Sequence, residues 1–96
     1  MDKNDLDITS LKQKYENMRA LGKKVYFDAD EFALLAEFYN SEANNAEAES
    51  IIEEGLTMHP GSSELMILKA KQLVRSGKFK AALSFIRHMS DDNDLD

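Results

Sequence analysis

Sliding the chain against itself by 34 residues brings like onto like: Ala36 falls on Ala70, Tyr39 on Leu73, Ala48 on Ala82 and Ile52 on Ile86. The break at Ala43 and Asn44 falls on Gly77 and Lys78. A fixed period of this length marks stacked supersecondary units, each too small to bury its own apolar face. The feature confines the chain to a repeat architecture whose units lean on one another.

The units are helical. Ile8, Leu11, Tyr15, Met18 and Leu21 form a single stripe, which predicts a helix over 9–21 stopped by Gly22. Asp28 followed by Glu31 is a capping-box start. The helix it opens carries Phe32, Leu35, Ala36 and Tyr39 on one face and Leu34 and Phe38 on another, as expected of a helix packed on two sides. After Asn44 and Asn45, a helix over about 46–58 buries Ala48, Ile51, Ile52, Gly55 and Leu56 and leaves Glu47, Glu49, Glu53 and Glu54 as a solvated face. Pro60, Gly61 and two serines make the next turn and cap. A fourth helix runs to about residue 76, with Leu65, Met66, Leu68, Ala70, Leu73 and Val74 as its apolar residues. Gly77 ends it. The fifth, over about 78–89, is expected to turn Phe79, Ala82, Leu83 and Ile86 inward. Beyond Ser90 the periodicity stops.

The expected fold is therefore all-α: an N-terminal helix followed by two stacked antiparallel hairpins. Residues 1–7 read as an acidic tail, 8–90 as the helical domain with repeats at about 29–62 and 63–90, and 91–96 as a second acidic tail. Ala48 and Ala82 put a small residue at matching points of the two hairpins, where helices can approach closely. A larger side chain there would cost about 1–3 kcal/mol in overpacking.

These residues resemble the tetratricopeptide repeat family. In the first repeat Phe32, Leu35, Ala36, Tyr39, Ala48 and Pro60 stand at the family's characteristic positions, and Gly55 at one usually filled by another small residue. The second repeat matches through Ala70, Gly77, Phe79, Ala82 and Ile86 and departs at Lys69 and Leu73. The stretches at 26–29 and 59–62 are also similar to the openings of longer bacterial proteins of this type. The resemblance implies an α-α superhelix that binds proteins or peptides and works without catalysis or cofactor. It implies a ligand groove lined by the first helix of each hairpin: Ala33, Glu37 and Asn40, then Ile67, Lys71 and Arg75. Co-chaperone members grip a terminal carboxylate with Lys and Asn where this chain has Ala33 and Glu37, so that clamp is not expected.

Charge narrows the partners further. The net charge of −6 resides in the tails, so residues 8–90 are neutral overall. Inside the domain it is blocked, with +4 over 8–27, −10 over 28–64 and +6 over 65–90. Neighbouring blocks can attract when helices stack, and no uniform basic face for nucleic acid exists. No run approaches the ~20 apolar residues of a membrane span. With no cysteine and no signal-like opening, a cytoplasmic location is expected.

No catalytic, metal or cofactor constellation emerges. His59 precedes the turn proline and His88 ends the last helix; neither has a ligand cluster beside it, and both read as structural or exposed. Asp92, Asp94 and Asp96 mimic the start of an EF-hand loop, but no glycine or glutamate follows at the positions such a loop needs, so a solvated tail is expected. Phe85 and Met89 lie one turn apart on a second face of the last helix. They either pack within the chain or meet something outside it: a further repeat, or a second copy in a homodimer.

Overall fold

The structure, a computed structural model, describes residues 7–94, and side chains for 7–89. Among the described residues there are five helices: α1 (Ile8–Leu21), α2 (Ala29–Ser41), α3 (Asn45–Met58), α4 (Ser63–Arg75) and α5 (Phe79–Asp94). No strand occurs among the described residues. α2 pairs with α3 and α4 with α5 as hairpins, α4 packs on both α2 and α3, and α1 covers α2.

The 34-residue offset reappears in the backbone. α2 and α4 begin at Ala29 and Ser63, α3 and α5 at Asn45 and Phe79. Asp28 and Ser62 both accept the first helical hydrogen bond, from the N–H groups of Phe32 and Met66, at 3.0 Å in each case. At the far ends, the N–H of Asn44 donates to the Tyr39 carbonyl at 2.8 Å and that of Lys78 to the Leu73 carbonyl at 2.9 Å. Between these groups Ala43 and Gly77 take positive φ, 61° and 77°. The left-handed residue lets the outgoing chain return a donor to the last helical carbonyls.

Side-chain caps close other orphan donors. Asp7 accepts from the Thr9 N–H, Asn44 from the Glu47 N–H and Ser62 from the Leu65 N–H. The Asp28 N–H donates to Glu31 Oε1 at 2.8 Å, the return half of its capping box.

The core joins α1, α2, α3 and the start of α4 through Leu11, Tyr15, Leu35, Ile51, Ile52 and Leu65. Ala48 and Ala82 are buried at the hairpin contacts. Gly55 permits a further close approach: a Cβ there would lie 2.9 Å from Leu65 Cδ1 and 3.0 Å from Phe32 Cγ. Phe27, outside every helix, is fully buried and packs edge-on to Tyr15 and tilted against Phe32. It anchors the link from α1 to α2.

Several expectations need correction. Leu21, at the last position of α1 before Gly22, is exposed. Val74 is exposed as well. On α5 the apolar faces are exchanged: Phe79, Leu83 and Ile86 point to solvent, while Phe85 and Met89 are half-buried. Ala82 is buried where α5 packs on α4. α5 continues to Asp94, past the end of its apolar periodicity, since extending an existing helix fixes one residue per hydrogen bond gained. Residues 1–6, 95 and 96, and the side chains of the acidic segment from 90 on, lie outside the described residues.

Candidate functional site

α2 and α4 lie side by side as the first helices of their hairpins, and their C-terminal halves enclose a trough of about 450 Å³. Glu37 and Asn40 come from α2, Lys71 and Arg75 from α4, with Leu68 at the floor. Four of the six groove positions expected from the sequence thus converge on one feature. The other two do not. Ala33, one turn before Glu37, belongs to the buried core. Ile67, one turn before Lys71, is exposed but outside the trough.

The trough is polar and bears both signs of charge, Glu37 on one wall and Lys71 and Arg75 on the other. Among the described residues none of these three is in an ion pair. It is open to solvent, whereas a small-molecule site encloses most of its ligand. That shape suits an extended segment with charges of its own.

A second polar cluster braces α1 to the first hairpin. The Tyr15 hydroxyl donates to Glu47 Oε2 at 2.5 Å, and Arg19 Nη1 donates to both the Tyr15 oxygen, at 2.9 Å, and Glu47, at 2.8 Å. Nearby, the Tyr39 hydroxyl donates to Glu16 Oε2 at 3.0 Å. Burial, then the bond to Glu47, pushes the Tyr15 hydroxyl far above the usual phenol range. Burial and the bond to Glu16 push Tyr39 up to about 12. Both tyrosines therefore stay neutral donors through the physiological range. Glu47 is half-buried in this brace rather than part of a solvated face. Glu53, from the same expected face, pairs with Lys69 of α4. Both pairs join sequence blocks of opposite charge. Spacing within one helix cannot reveal them, since their partners lie 28 and 16 residues away.

His59 is also structural. Its Nε2–H donates to the Phe27 carbonyl at 2.7 Å, and its ring stands edge-on to Tyr26 and Phe32. Lys14 reinforces the same loop, donating to the Tyr26 carbonyl and lying 4.5 Å above the Phe27 ring. His88 is exposed. Among the described residues no three His, Cys, Asp or Glu side chains are grouped to hold a metal, and no helix is long and apolar enough to cross a membrane.

The fold and site define an all-α protein of stacked helical hairpins with a polar trough across its two leading helices. Compared with protein-family models, curated proteins and solved structures, the chain matches none.

Proposed function

We propose that this chain is a protein-interaction module of the tetratricopeptide kind, which receives a peptide segment of a partner in the trough between α2 and α4. The observation carrying this reading is the convergence of Glu37, Asn40, Lys71 and Arg75 from two sequence repeats onto one open, polar surface. Charges of both signs, unpaired among the described residues, supply specificity by rewarding a complementary segment and repelling others. The module works without catalysis or cofactor, binds neither nucleic acid nor membrane, and belongs to a bacterial cytoplasm.

The test is selection from a random peptide library on the intact chain and on a Glu37→Lys, Lys71→Glu double variant. The intact chain should enrich charged sequences that the variant no longer retains. Equal enrichment on both, or none on either, would remove the trough as the binding site.

The alternative, a homodimer formed through Phe85 and Met89, is less favoured by the half-burial of those two side chains. The apolar residues turned to solvent on α5 are Phe79, Leu83 and Ile86.

A further inference from the structure

The first hairpin has a seat, and α4 occupies it. α4 packs on both α2 and α3, and Ala36 of α2 and Ile52 of α3 are both fully buried. Leu65 of α4 lies against Gly55, and Lys69 of α4 pairs with Glu53. The contact is therefore apolar along its middle and ionic at one edge.

The second hairpin repeats that seat. Counting 34 residues on, Ala36, Asn40 and Ile52 become Ala70, Val74 and Ile86. Those three side chains line a groove of about 330 Å³ between α4 and α5, bordered by Lys71 and Arg75. Ile52 is fully buried and its counterpart Ile86 is 43% exposed; among the described helices α5 packs on α4 alone. The apolar surface also spreads further than in the first repeat. Phe79 and Leu83 replace Asn45 and Glu49, and both are exposed.

The shape is repeated, but the charge is inverted. Glu53, which receives Lys69, becomes Arg87; Glu37 becomes Lys71; Ser41 becomes Arg75. Residues 65–90 hold six Lys and Arg and no Asp or Glu. A helix like α4, with Lys69, Lys71 and Arg75, would bring like charge to this groove. α1 is basic too. α2 and α3, the acidic helices with apolar faces, are both committed to the core of their own chain. No described helix of a second copy both fits the charge and is free to dock.

We infer that the groove between α4 and α5 receives an acidic amphipathic α-helix from a partner protein, seated on the second hairpin as α4 is seated on the first. Its apolar stripe covers Val74, Ile86 and Leu83, and its carboxylates meet Arg87, Lys71 and Arg75. This surface is separate from the trough, although Lys71 and Arg75 border both, and the inference stands without the peptide reading.

The repeat supplies its own probe. A peptide of residues 62–76 carrying Lys69→Glu, Lys71→Glu and Arg75→Glu, stapled on its polar face to hold it helical, has the shape of α4 with the opposite charge. Its binding to the full chain is measured by fluorescence anisotropy beside the same stapled peptide without the substitutions. The acidic peptide should bind at least about tenfold more tightly, with affinity falling as salt is raised. Ile86→Asp should weaken it by a similar factor. Arg87→Glu should shift preference toward the unsubstituted peptide, a change that loss of folding cannot mimic. Glu37→Lys, in the trough, should leave it unchanged. No binding of the acidic peptide, equal binding of both peptides, or indifference to Ile86→Asp and Arg87→Glu each overturns the inference. So does light scattering that shows a dimer dissociated by Leu83→Glu, which would make the groove a seam between copies.

Discussion

Tyr15 of α1 and Glu47 of α3 share a 2.5 Å hydrogen bond across 32 residues of sequence, and Arg19 bonds to both oxygens of the pair. Tyr15 is almost wholly buried, so its hydroxyl depends on these two partners for its hydrogen bonds. Tyr15→Phe removes the hydroxyl and leaves Arg19 and Glu47 to each other, at a cost of about 1 kcal/mol. Glu47→Ala takes away the acceptor of a buried donor and should cost more, about 1–3 kcal/mol. Thermal unfolding followed by circular dichroism ranks the two; each kcal/mol lowers Tm by about 4–8 °C in a domain of this size.

The same tyrosines predict alkaline instability. Their folded pKa values are both raised above the ordinary phenol value, that of Tyr39 to about 12. Above pH ~10 the unfolded chain releases protons that the folded chain retains, so stability falls as pH rises. The contribution is complete below pH ~10 and is lost as pH climbs through the folded values. Urea midpoints should therefore hold steady from pH 8 to about 9.5 and decline from about pH 10 upward. In a Tyr15→Phe, Tyr39→Phe double variant that decline should flatten. An unchanged slope would show that these two phenols do not govern it.

Ala43 holds the left-handed conformation that glycine holds at the matching position 77, with φ of 61°. A side chain with a Cβ is disfavoured there by about 1–2 kcal/mol, partly offset by the extra freedom glycine has in the unfolded chain. Ala43→Gly should stabilise the protein by about 0.5–1 kcal/mol. Gly77→Ala should destabilise it by a similar amount. Equilibrium denaturation of both variants checks the opposite signs.

Gly55 sits inside α3, where alanine would normally favour the helix by about 1 kcal/mol. Here the added Cβ would meet Leu65 at 2.9 Å and the Cγ and Cβ of Phe32 at 3.0 and 3.1 Å. Both neighbours are buried and have little room to give. Overpacking outweighs propensity, and Gly55→Ala should be destabilising by about 1–2 kcal/mol net. A gain in stability would mean that α4 can slide on its seat.

Much of the fold is written locally in the sequence. The caps at Asp7, Asp28, Asn44 and Ser62, the breaks at Gly22 and Gly77 and the spacing of Ala48 and Ala82 depend on neighbours within a turn or on a fixed offset. Helix limits and the 34-residue period follow from them. The tertiary structure alone decided matters that turn on how one helix sits against another. It buried Phe27 between Tyr15 and Phe32, and it matched Glu47 and Glu53 with cations on other helices. It brought Glu37 and Lys71, one full repeat apart, to facing walls of the same trough. It also chose the outward face of α5, leaving Phe85 and Met89 half-buried. Phe79, Leu83 and Ile86 are as apolar as any core stripe in sequence. They face solvent because, among the described helices, α5 packs on α4 alone, while Ile52, the counterpart of Ile86, is covered on a second side.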